Sequence, residues 1–226
     1  MITTENNTLQ YEEHVMNGHE LLNALNWRYA AKRMNGNKIP QEALDRILEA
    51  IRLSPSSWGL QPYTIIVIDN KETLKKLKSA ANEQEVITEA SHLLVFTAWE
   101  NLIQQKIDNY ISQVATERHV SEESLQHTKS KIESQMAFTD KKNSEWAARQ
   151  AYIALGIGII AAAAEHIDAT PMEGFNPTAM DALLGLKDRG LHSIVLLALG
   201  YRNTTIDPRA NAKKIRRKKE NLYIKM

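Results

Sequence analysis

The chain has 226 residues, 43% apolar and 24% charged, which is the balance of a globular domain with a real core and excludes a disordered chain. Twenty-eight Lys and Arg against 27 Asp and Glu leave a net charge of +1, too little for a general electrostatic grip on nucleic acid or anionic lipid. The absence of cysteine excludes disulfides, thiolate zinc sites, iron–sulfur clusters and cysteine nucleophiles.

The amino terminus has no basic flank and no apolar run, so it does not read as a secretory signal. Residues 1–19 are polar and acidic, and are expected to form a flexible extension before a single domain spanning 20–226. From Glu20 to about Lys32 the pattern is helical, with Leu22, Leu25 and Tyr29 on one face and Arg28 and Lys32 sharing another. Pro40 opens a stronger helix carried by Leu44, Ile47, Leu48 and Ile51, and Ser54-Pro55 stops it. The segment Pro55–Pro62 is loop chemistry between two prolines. Within it Ser56 and Ser57 offer hydroxyls and freed backbone N–H groups for polar ligand atoms.

Tyr63–Ile68 reads as a β-branched strand. The capping-box spacing of Asp69 and Glu72 predicts a helix through Leu74, Leu77 and Ala81, and His92–Ala98 reads as a buried strand. Residues 100–142 are polar and helical, with a thin stripe of Ile103, Ile107, Tyr110, Ile111 and Val114; this excursion is predicted to cover the active site. Trp146–Glu165 is a helix apolar almost all round, so it has to be buried on most sides. Its uncharged stretch, Ala151–Ala164, falls short of the roughly 20 residues of a membrane span, so a cytoplasmic protein without a membrane partner is expected. The loop Thr170–Pro177, a helix near Thr178–Leu184, the strand Ser193–Leu199, a basic stretch Arg209–Lys219 and the terminal NLYIKM complete the chain.

GIGIIA at Gly156–Ala161 fits the G-x-G-x-x-A dinucleotide fingerprint, but no strand enters it. It therefore reads as glycines that let helices approach closely. None of the seven histidines falls in a zinc-protease pattern, and no nucleophile elbow or Walker loop is present, so neither metal catalysis nor a side-chain nucleophile is indicated. What recurs is anion-binding chemistry at distant places: Arg28 and Lys32, the Pro55-Ser56-Ser57 turn, and the alternating pair Lys214 and Arg216. Dispersed cations and hydroxyls without a catalytic side-chain set point to a bound cofactor that carries the chemistry.

Six segments in order give the chain a resemblance: Trp27–Lys32 (WRYAAK), Ser54–Tyr63 (SPSSWGLQPY), Glu89–Phe96 (EASHLLVF), Glu145–Gln150 (EWAARQ), Pro171–Phe175 (PMEGF) and Lys214–Arg216 (KIR). Together they resemble the FMN-dependent nitroreductase family, in its oxygen-insensitive NAD(P)H nitroreductase and flavin reductase branch. The resemblance implies an α+β fold, a mostly antiparallel central sheet wrapped by helices, built as an intertwined homodimer. It implies FMN as cofactor, NADH or NADPH as donor, and ping-pong hydride transfer to small-molecule acceptors such as nitroaromatics or quinones. Flavin or pteridine reduction on the same scaffold, or an FMN-holding sensor with incidental turnover, are the alternatives.

Residue by residue, the resemblance places Arg28 at the phosphate and Lys32 at the flavin edge, with Tyr29 in the same motif. Pro55, Ser56 and Ser57 reach the FMN of the other subunit. The backbone of Glu173 and Gly174, after Pro171, lies near N5 and O4, and Lys214 and Arg216 neutralise the phosphate. Gln150, like Gln61, matches a polar position that is either contact or support. Ala30 stands where the family often has Ser, and Gly59 where Asn is common. The pyrimidine-edge residues fall in a shortened segment, Asn82–Val86, where Asn82, Glu83 and Gln84 are candidates and Gln84 is chosen. The flavin does the chemistry, so no catalytic side chain is expected.

Overall fold

The computed structural model describes residues 17–100, 104–136 and 140–226. In chain order the helices are α1 (Gly18–Trp27), α2 (Gln41–Arg52), α3 (Lys71–Ala80), α4 (Val86–Glu89), α5 (Gln104–Arg118), α6 (Gln126–Met136), α7 (Asp140–Ala164) and α8 (Pro177–Leu184). The strands are β1 (Tyr63–Ile68), β2 (His92–Trp99), β3 (Asp168–Met172) and β4 (Leu191–Gly200). They form one antiparallel sheet in the order β1-β2-β4-β3, so the expected α+β architecture is the one observed.

The two central strands, β2 and β4, are apolar and buried along most of their length because helices cover both sheet faces. Strand alternation sorts the core. Leu93 and Val95 join Leu74, Leu77, Ile87 and Met180 on the α3, α4 and α8 side. Leu94 and Phe96 join Ile47, Ile51, Ala154 and Leu155 on the α2 and α7 side.

Several expectations need correcting. Helix α1 is capped by Asn17 and Glu20 and ends at Trp27; Arg28 is already extended, at φ −70° and ψ 143°. Arg28 and Lys32 therefore share no helix face. Tertiary ties override the local pattern: the Tyr29 hydroxyl and the Lys32 N–H both donate to Asp207 Oδ2 at 3.0 Å, and Thr170 Oγ1 donates to the Ala31 carbonyl at 2.9 Å. Leu22, predicted to pack, is 58% exposed. Asn70, not Asp69, caps α3, with its side chain accepting from the Thr73 N–H. Part of the predicted loop Thr170–Pro177 is strand β3. Pro171 is tolerated there because β3 is an edge that pairs only with β4.

Helices α5 and α6 pack together around Ile107, Ile111, Ile132 and Met136, giving the excursion a small core of its own. Ile103 and residues 1–16 lie outside the described residues. Within α7, Gly158 meets the close-approach expectation: a Cβ there would sit 3.0 Å from Ile51 Cδ1, whereas at Gly156 it would meet nothing within 4 Å. By length and composition alone Lys142–Ala164 would also suit a membrane span, and only 44% of its most apolar window is buried. The expected burial on most sides is thus not achieved within this one chain.

Candidate functional site

A cavity of about 630 Å³ opens where α1 ends, lined among others by Trp27, Arg28, Tyr29, Arg202, Lys214 and Arg216. Arg202, two residues beyond β4, is committed to Asp168 at the start of β3, with Nε at 2.9 and 3.0 Å from its oxygens. Its guanidinium lies 4.2 Å over the Trp27 ring and 4.4 Å over the Tyr29 ring. This stack forms the floor, and the buried Asp168 anchors it through Arg202. The Tyr29 hydroxyl points away to Asp207, and burial together with that carboxylate pushes its pKa up to about 12.

The cations around this floor repel one another. Burial, and then the charges of Arg216 and Arg202, hold the Arg28 guanidinium below its ordinary pKa, with Asp168 pulling the other way. Burial, and then Arg28, Arg216 and Arg202, lower Lys214 in the same manner. The buried Arg28 Nε has no hydrogen-bond partner among the described residues. Lys214 instead spends its ammonium on the exposed carbonyls at the end of α1, those of Leu25, Asn26 (2.9 Å) and Arg28. Arg216 is exposed and, among the described residues, donates only to its neighbour, the Ile215 carbonyl, at 2.7 Å.

A second group gathers around Gln150 of α7. The Ser57 N–H donates to Gln150 Oε1 at 2.8 Å, and Ser56 Oγ accepts from the Gln61 N–H at 3.0 Å. Gln150 is buried, so its side chain shapes the Pro55-Ser56-Ser57 turn from within the fold. Next to this turn Trp58 sits at φ 62°, with its carbonyl accepting from the Tyr110 hydroxyl and its indole N–H donating to Gln135 Oε1 at 2.5 Å. The α5–α6 excursion thus rests on the loop.

The third group follows β3 and Pro171. Asn82 Nδ2 and Gln84 Nε2 each donate to the Gly174 carbonyl at 2.8 Å, and the Tyr152 hydroxyl donates to Glu173 Oε1 at 2.6 Å. Tyr152 is pushed up to about 12, first by burial and then by Glu173.

The structure therefore brings Arg28, Tyr29, Lys214 and Arg216 together, and separately Gln84, Glu173 and Gly174, and Pro55, Ser56, Ser57 and Gln150. Lys32 does not line the cavity; its described contact is its backbone N–H on Asp207. Sequence reasoning missed Arg202 and the buried Asp168, a pair 34 residues apart that only the β3–β4 pairing brings together.

The nitroreductase family model matches residues 25–201. The chain belongs to the nitroreductase family. A chain of Staphylococcus saprophyticus, provisionally named an NAD(P)H nitroreductase, is 36% identical over 81% of this chain and 89% of its own. The major NAD(P)H-flavin oxidoreductase of Aliivibrio fischeri is 29% identical over 90% of this chain and 97% of its own. Among solved structures, a provisionally named nitroreductase of Exiguobacterium sibiricum in complex with FMN matches with a TM-score of 0.76. It is 19% identical and covers 94% of this chain and 98% of that one, a likeness of fold.

Proposed function

We propose that the protein is an FMN-dependent NAD(P)H oxidoreductase whose acceptors are nitroaromatics, quinones or free flavins, and that it works as a homodimer. The observation that carries the reading is the cation cluster at the end of α1. It holds a buried Arg28 Nε without a partner among the described residues, Arg28 and Lys214 driven down first by burial and then by their neighbours, and an acid, Asp168, already taken by Arg202. A terminal monophosphate supplies the missing negative charge. Arg28 and Arg216 would hold it, and Lys214 would fix the chain around it.

When bound, FMN supplies a hydride acceptor and donor at N5. The chain's own contribution is to bind, orient and polarise. Cations lower the cost of added negative charge on the cofactor, and the Glu173–Gly174 turn offers backbone groups to the ring. Solvent supplies protons, so no side-chain acid is assigned.

The dimer rests on geometry within α7. Gln150 and Tyr152 are two residues apart, about 200° around the helix. Gln150 holds the Ser57 turn and Tyr152 holds Glu173, so the turn and the Glu173–Gly174 loop lie on different faces of α7. One flavin takes both only if the turn comes from a second copy.

The decisive experiment is an absorbance spectrum of the purified protein, mass spectrometry of the released cofactor, and anaerobic bleaching by NADH and NADPH. A yellow protein that releases FMN and bleaches is expected. Release of FAD, or a colourless protein that takes up no flavin, would overturn the reading.

A further inference from the structure

The turn Glu173-Gly174-Phe175 has its first two carbonyls occupied. The Phe175 N–H donates to the Glu173 carbonyl at 2.8 Å, closing the turn. The Gly174 carbonyl accepts from Asn82 and Gln84 together, while Gln84 Nε2 also reaches the Ala81 carbonyl at 3.0 Å. Tyr152 holds the Glu173 carboxylate from the far side. The Gly174 N–H, by contrast, has no partner among the described residues and stands at an exposed position.

The segment that supplies the two amides is itself unusual. Asn82 and Glu83 are consecutive non-glycine residues in the left-handed region, at φ 53° and 54°. Such a pair persists only where surrounding contacts over-determine it. Here it aims both amides at one carbonyl. The sequence expectation that Gln84 touches the flavin edge is not what the geometry favours, because its Nε2 donor is already engaged on two backbone oxygens.

We infer that Asn82 and Gln84 are positioning residues, a clamp that turns the Gly174 carbonyl away from the ligand so that the Gly174 N–H is the polar group presented to the electron-rich edge of the flavin. The inference rests on the FMN reading above. An N–H held there stabilises added electron density, and the carbonyl hydrogen bonds polarise the peptide further. With the clamp released, the carbonyl is free to swing toward the ring and weaken that stabilisation.

The test compares Asn82→Gly, Gln84→Met and the double variant with the native holoenzyme. Glycine keeps the left-handed backbone without strain, and methionine keeps the length of the side chain, so the fold is retained. The expected result for the double variant is a fall of about tenfold in the ratio of FMN dissociation constants, oxidised over reduced. This is a drop of about 30 mV in the two-electron potential. Each single variant retains one donor and is expected to show a smaller drop. Potentials equal to the native one in all three variants overturn the clamp. So does a drop confined to Gln84→Met, since that marks a direct contact by Gln84. Hydrogen exchange on the flavin-free chain separates this failure from failure of the FMN reading. Faster exchange of the Phe175 N–H in the double variant supports the clamp even if no flavin binds, and unchanged exchange overturns it.

Discussion

Lys214 and Arg216 lie two residues apart in the basic stretch and do different work. The Lys214 ammonium closes the carboxyl end of α1, whereas the Arg216 guanidinium lines the cavity with only its neighbour's carbonyl as a partner among the described residues. Arg216→Ala is expected to weaken FMN binding about tenfold to a hundredfold, the worth of one charge-assisted contact, with little loss of thermal stability. Titration with FMN, with Lys218→Ala as the exposed control, checks this; equal small effects would remove Arg216 from the site. Lys214→Ala is expected to lower stability by about 1–2 kcal/mol in urea unfolding, since α1 then loses its end contacts. A third prediction concerns His192, whose Nε2 lies 3.0 Å from Ser144 Oγ and whose buried Nδ1 lacks a partner among the described residues. Burial lowers its pKa below the ordinary 6.5, against the weaker pull of Asp181 and Glu100. The unfolded chain then binds the proton more readily, so stability is present above 6.5 and is lost as pH falls below it. Urea unfolding between about pH 5 and about pH 7.5 is expected to show this rise with pH, and His192→Gln to flatten part of it. Of the cations of the site, Arg28, Lys214 and Arg216 were legible as residue types, and Arg202 was not. Their division of labour was not, because it depends on which of them meets a helix end.

At the level of elements, legibility followed how much of each element's stability is local. Helix α2 and strands β1, β2 and β4 carry strong periodicity or continuous apolar runs, and the structure keeps them within a residue or two. The end of α1 and strand β3 escaped. The first is set by Asp207 and Thr170, far away in sequence, and the second is a proline-bearing edge that only pairing with β4 reveals. Gly158 in α7 shows the local pattern and tertiary fit in competition. Alanine there gains about 1 kcal/mol of helix propensity but adds a methyl 3.0 Å from Ile51, where overpacking costs about 1–3 kcal/mol. Gly158→Ala is expected to be destabilising on balance, and Ile51→Val, which removes the opposing methyl, to recover part of the loss. Unfolding of the four members of this cycle measures the coupling, and strict additivity would place the contact elsewhere.

For the whole molecule, the half-covered α7 sets the last expectation. Ile153, Ile157, Ile160 and Ala164 recur at i, i+4, i+7 and i+11, none of them buried, and Tyr152 and Ile153 are 38% and 42% exposed. At the carboxyl end Leu222, Tyr223 and Ile224 stand open as well, Ile224 at 90%. Apolar groups left in contiguous patches of this kind mark an interface. In the proposed homodimer a second copy of this chain would cover this face and also bring a Ser57 turn to the Glu173–Gly174 loop. Ile157→Glu buries a charge in that interface without touching the α2 side of the helix. Light scattering is expected to show a dimer for the native protein and a monomer for this variant, and the monomer is expected to lose FMN although Arg28, Lys214 and Arg216 are all intact. A variant monomer that still holds one FMN per chain would show that the cavity at the end of α1 is sufficient alone, and would separate cofactor binding from assembly.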